Sequence, residues 1–181
     1  MQKIQFVLLS IFLTLSLSVS HAQGSDGYQT YLALRGSALK MPPAVAGLPK
    51  DADKQEVYGI VIDWKAEKGY ATLITFRNGA TSLYLSSGGA YLGLGEQDPV
   101  KSKTIDFIAQ HRQLPAEAVR IEGAIDKPNT PSMCFYLLTP SGIYQSEAGK
   151  DALYTGKARN QALYEDMLRL MDIVQQQVAK Y

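Results

Sequence analysis

Apolar positions alternate in some stretches of this chain and recur every three to four residues in others, and the changes of period mark its elements. Val57-Tyr-Gly-Ile-Val-Ile-Asp-Trp64 sets Tyr58, Ile60, Ile62 and Trp64 on one face and Val57, Gly59 and Val61 on the other. Both faces are apolar, so a central strand is expected. Lys65-Ala-Glu-Lys-Gly69 then turns the chain into a second strand, Tyr70–Phe76, and Asn78-Gly79 is the pair favoured in a type I′ hairpin leading to a third, Thr81–Leu85. Val100, Thr104, Phe107, Ile108 and His111 fall on one side of a helix that ends near Arg112. Asp98 is expected to cap that helix, with Pro99 at its first position, where no amide donor is needed.

Further on, Ser132–Thr139 and Gly142–Ser146 form a second hairpin around Pro140-Ser-Gly142, and Val119–Glu122 is a candidate short strand. From Lys157 onward Leu163, Met167, Leu170, Met171, Val174 and Val178 define one face of a C-terminal helix. Before the first strand, Tyr28, Tyr31, Leu32, Leu34 and Leu39 lie at loosely helical spacing around Arg35, and Met41-Pro-Pro interrupts them. The pattern predicts an α+β fold. Its antiparallel sheet has about five strands, a three-stranded meander and then a hairpin, with helices packed mainly on one face. The order resembles profilin-like or roadblock-like folds, a likeness of architecture that carries no function. Residues 23–55 read as an N-terminal helix and connector, and 56–181 as one α+β domain.

Composition changes this picture at the N-terminus. One cation, Lys3, precedes the uncharged apolar run Phe6–Val19, which is short for a membrane span, and Ser20-His-Ala22 has the small residues of a cleavage site. A signal peptide over 1–22 is expected, leaving Gln23 first. The expected localisation is exported, periplasmic or secreted, with no stable membrane anchor after cleavage. Removing Lys3 leaves 17 basic residues against 17 acidic ones, so charge offers no case for nucleic acid.

Cys134 is the only cysteine, so an exported chain has no internal disulfide, and its place in Met133-Cys-Phe-Tyr-Leu-Leu138 suggests a buried, inert thiol. Beyond the leader His111 is the only histidine. A multi-histidine or cysteine zinc site cannot be assembled from one chain, and neither a metal nor a cofactor is expected.

The glycine-rich stretch Ser86-Ser-Gly-Gly-Ala-Tyr-Leu-Gly-Leu-Gly-Glu-Gln-Asp98 lies between a strand and a helix, where phosphate loops are built. Its Gly93-Leu-Gly95 lacks the third glycine of a dinucleotide fingerprint, and no Gly-Lys-Ser/Thr of a P-loop follows. Glu96 and Asp98 would also repel an anion there. The glycines are explained first by backbone need and second by a loop that meets a polar ligand or partner. Ser86 and Ser87 are candidate nucleophiles, but Ser87-Gly-Gly89 is not a nucleophile elbow, and His111 is read as a packed histidine satisfied by one hydrogen bond. Asp63 is read as a strand end reaching water.

Ser82-Leu-Tyr-Leu-Ser-Ser-Gly-Gly-Ala-Tyr-Leu-Gly-Leu-Gly-Glu96 resembles the signature of an uncharacterised bacterial domain family, in which a Ser-Leu-Tyr strand leads into a Gly-Gly-Gly-x-x-Gly-x-Gly-Glu loop. Val57-Tyr-Gly-Ile-Val-Ile62 resembles that family's first strand, and the likeness runs from Tyr28 to Arg112. Ala90 replaces one glycine, and Gln97 stands where histidine is common. The resemblance implies a domain without an established activity.

The function expected is therefore an exported, non-enzymatic binding or interaction module for an unknown protein or small polar ligand. Its contact residues would be Trp64, Ser86, Ser87, Gly88, Gly89, Tyr91, Gly93, Gly95 and Glu96. One alternative is a low-specificity hydrolase using Ser86 or Ser87 with Glu96, Asp98 or His111. Another is a structural envelope protein, homodimeric through an exposed sheet edge.

Overall fold

The structure, a computed structural model, describes residues 25–125, 128 and 133–180. The leader expected over 1–22 lies outside them, as does most of the loop expected over 127–131. Its centre is an antiparallel sheet of seven strands in the order β4-β3-β2-β1-β6-β7-β5. These are β1 Gly59–Ala66, β2 Gly69–Phe76, β3 Thr81–Leu85, β4 Gly89–Tyr91, β5 Val119–Arg120, β6 Met133–Thr139 and β7 Gly142–Ala148. The α+β class and the antiparallel meander-plus-hairpin core match the expectation. The strand number does not, because β4 and β5 extend the two edges.

β1 holds the middle of the sheet, between β2 and β6, and its first six residues are buried. Its two faces enter two separate cores. Ile60, Ile62 and Trp64 join Leu73, Leu83, Phe135 and Leu137 beneath α2 (Asp98–Gln110), α3 (Lys150–Tyr154) and α4 (Gln161–Val178). Val61, Ile74, Phe76, Tyr84, Cys134, Tyr136 and Leu138 face the other way, beneath α1 (Ser25–Leu39) and the connector that follows it. Among the described residues three helices thus lie on one face, and α1 with its connector covers the opposite one. Among the described residues no helix is long and apolar enough to cross a membrane.

The alternation predicted for Val57–Trp64 slips at its start. Gly59 pairs with Leu138, and the Tyr58 N–H donates to the same Leu138 carbonyl at 2.9 Å. Two residues oppose one, as in a bulge, and this sends Tyr58 to the α1 face and Val57 to the other.

The Asn78-Gly79 hairpin is also not type I′, since Gly79 alone has a positive φ, of 87°, and no non-glycine residue does. Asn78 keeps an ordinary φ while holding three neighbours. Its N–H donates to Ala46 O at 3.1 Å, its Nδ2 to Val45 O at 3.1 Å, and its Oδ1 accepts from Ala80 N–H at 3.0 Å. The hairpin is shaped to pin the connector.

α2 begins one residue earlier in its capping than expected: Gln97 is the cap residue, and Asp98 lies in the first turn beside Pro99. Asp98 therefore acts through its charge near the helix N-terminus and not as a side-chain cap. α3 had no sequence signal, being a single short turn of helix that buries Leu153.

Candidate functional site

The glycine-rich stretch forms a corner at one edge of the sheet, anchored at both ends. At its start the Ser86 hydroxyl accepts the Tyr70 N–H at 2.7 Å, while Ser86 N–H donates to Tyr70 O at 2.9 Å. Gly89, Ala90 and Tyr91 then pair with Leu85, Tyr84 and Leu83 as β4. At its end Leu94 is buried and opens a short 3-10 turn, Leu94–Glu96, with Gly93 left-handed at φ 68° as its cap.

Gly95 is held by close approach. A Cβ there would overlap the Gly79 carbonyl and come within 2.9 Å of Thr81 N. No side chain fits between this turn and the Asn78-Gly79 hairpin. Thr81 and Thr104 close the same corner through hydroxyls 2.7 Å apart, joining β3 to α2.

The expected contact residues divide accordingly. Ser86 and Gly95 are used internally, Gly88 and Gly89 are half-buried, and Trp64 is 4% exposed within the helix-covered core. Ser87, Gly93 and Glu96 are exposed, and Tyr91 is half-buried. Between them stands Leu92, 63% exposed, which the pattern of the sequence did not single out. Of three clefts of about 260, 410 and 410 Å³, none is lined by Ser86, Ser87 or Glu96.

The structure sets Ser86 and His111 at opposite ends of the sheet. Ser86 sits beside Tyr70, which pairs with Lys65 at the far end of β1. His111 neighbours Arg112, whose carbonyl accepts the Val57 N–H just before β1 begins. Eight residues of strand at about 3.4 Å each put them on the order of 27 Å apart. His111 instead packs edge-on against Phe107, with ring centroids 5.3 Å apart, and its Nε2 lies 3.0 Å from Asp166 Oδ2 on α4. It ties two helices together.

A second constellation, hidden in sequence, lies under α1. Asp63 does not reach water: it is 0% exposed, on the α1 face of the central strand, and meets Arg35, likewise fully buried. Arg35 Nε and Nη2 donate to Asp63 Oδ2 at 2.9 and 2.6 Å, and Nη1 donates to Ile125 O at 2.9 Å. The guanidinium also lies 5.2 Å from the Tyr136 ring centroid.

Thr72 donates to Asp63 Oδ1 at 2.6 Å, so its hydroxyl must accept from Tyr31 O–H, 2.7 Å away. The charges are thus paired and hydrogen-bonded on every side, as burial demands. Cys134, buried nearby, has its thiol pushed up to about 12 by loss of solvent, which keeps it neutral. Burial also pushes the Tyr31 and Tyr136 hydroxyls up. Tyr31, Arg35, Ala38 and Leu39 are buried along α1, at steps of four, three and one, so Arg35 belongs to its inward face.

Among the described residues no group of three or more His, Cys, Asp or Glu could hold a metal ion. Fold and corner together define an α+β protein with a doubly covered antiparallel sheet and a glycine-built edge anchored at both ends. Comparison of the chain with family models, with curated proteins and with solved structures finds no match.

Proposed function

We propose that this chain is an exported, non-enzymatic interaction module that meets a protein partner through the corner between β3 and α2. The observation that carries the reading is Leu92, 63% exposed on a short segment whose two ends are fixed by the Ser86–Tyr70 bonds and the Gly95 contact. A large apolar side chain on a preorganised loop costs little ordering entropy when a partner covers it. Tyr91 adds a half-buried ring on one side, and Ser87 and Glu96 add exposed polar groups nearby. Ile105, 40% exposed, lies against Gly79 at the α2 side of the same corner and adds a second apolar group there.

Export rests on the leader expected over 1–22, and the likeness to the uncharacterised domain family rests on the Ser-Leu-Tyr and glycine-loop motif. Neither supplies a ligand. The test is site-specific photocrosslinking from position 92 in the producing cell, with the exposed Gln113, beside the start of β1, as control. A discrete adduct from position 92 that disappears when Glu96 and Tyr91 are replaced by Arg and Ala supports the reading. Equal, diffuse labelling from both positions overturns it.

A further inference from the structure

We propose that the cleft between α1 and residues 121–125 binds a small anionic amphiphile, a single acyl chain ending in a carboxylate. The cleft is about 410 Å³, within the range of pockets that take small ligands. Half-buried Leu32, Ile125 and Ile143 and buried Leu39 give it apolar walls continuous with the core on the α1 side of the sheet. Glycines keep it open: a Cβ added at Gly36 on α1, or at Gly123 on the facing segment, would meet nothing within 4 Å. The α1 wall runs from Leu32 to Lys40, just past the helix end, roughly 12 Å along the axis. That is the reach of a medium-length acyl chain.

The walls are fastened without a ligand. Arg35 Nη1 donates to Ile125 O, and Ile121 N–H donates to Ile143 O, each at 2.9 Å, so both ends of the facing segment are fixed. Little ordering is left for binding to supply. Lys40 is the one charged residue in the lining, and among the described residues it has no ion-pair partner. Glu122 neighbours Gly123 in the chain but lies 4.0 Å from Arg120 Nε and does not line the cleft. An apolar cleft with one unpaired cation at its end is complementary to a tail with a single negative head. Ile143 places this cleft on the β7 side of α1, with β2, β1 and β6 between it and β3. The proposal therefore stands apart from the reading of the β3–α2 corner.

The experiment titrates octanoate and octanol into the full chain and follows backbone amide chemical shifts. Saturable octanoate binding is expected, with the shifts concentrated at Gly36 and Gly123. Lys40 is exposed and its charge is screened by solvent, so octanoate should bind only about two- to fivefold tighter than octanol. Lys40→Met should remove that difference and leave octanol binding as it was. Gly36→Leu sends a side chain into the cleft and should abolish binding of both compounds while melting no lower than wild type. Ala33→Leu fills the same cleft one turn earlier on α1 and should do likewise. Octanoate shifts that never saturate, or that persist unchanged in both filled variants, overturn the site. Equal affinity of the wild type for octanoate and octanol overturns the anionic head group, and the proposal with it.

Discussion

Arg35 and Asp63 together take two full charges out of water, and neither can tolerate the loss of the other. Asp63→Ala would leave a buried guanidinium with one carbonyl and one ring, a change that typically costs about 3–5 kcal/mol. The double variant Arg35→Met/Asp63→Leu removes both charges and keeps the volume, and it is expected to recover most of that loss in a denaturant titration. Nearby Cys134 adds a pH dependence. Its proton is held more tightly in the folded chain than at the ordinary 9.0, with burial the leading cause. Above about 9 the unfolded chain gives up this proton first, so the stability present below that pH falls as pH rises toward about 12. Tyr31 and Tyr136 push the same way from their ordinary 10.0 upward. Denaturant midpoints measured across the alkaline range should fall monotonically, and less steeply in Cys134→Ala over the lower part of the range.

At the scale of elements, two glycines with opposite fates test the account of the corner. Gly95→Ala must push a methyl into the Gly79 carbonyl, and overpacking against backbone costs typically about 1–3 kcal/mol. Gly36 lies inside α1 with nothing within 4 Å of an added Cβ, so Gly36→Ala should stabilise by about 0.5–1 kcal/mol through helix propensity. Thermal melts of the two variants should move in opposite directions. Gly95 was legible as a backbone requirement because a glycine before an acidic helix start has few other uses. β1, β2, β3, β6 and the C-terminal helix were legible because burial imposes their periods. β4 was not, since Gly89-Ala90 has little strand propensity of its own and takes its form from pairing with β3. Asn78 was misread for a related reason: its geometry answers to the connector at Val45 and Ala46, a contact more than thirty residues away in sequence. Asp63 was misread because its partner lies on a helix whose inward face contains an arginine, and a charged residue in that position reads as a break in the apolar stripe.

For the whole molecule, the consequence of a central strand serving two cores is that neither core can dissolve alone. Ile60, Ile62 and Trp64 alternate with Val61 and Asp63 along β1, so freeing one face removes the hydrogen-bonded ladder that shapes the other. Each core also has its own reporter, because the chain has a single tryptophan and a single cysteine. Trp64 lies beneath the helices on one side of the sheet, and Cys134 lies on the α1 side, directly paired with Asp63 across β6 and β1. Trp64 emission and the reactivity of the Cys134 thiol toward a disulfide reagent should therefore change at the same urea concentration, with one slope, as a two-state domain requires. Cys134 becoming reactive well before Trp64 emission shifts would show α1 leaving the sheet as a separate unit. The Arg35–Asp63 pair would then be a local fastening and not part of a single cooperative core.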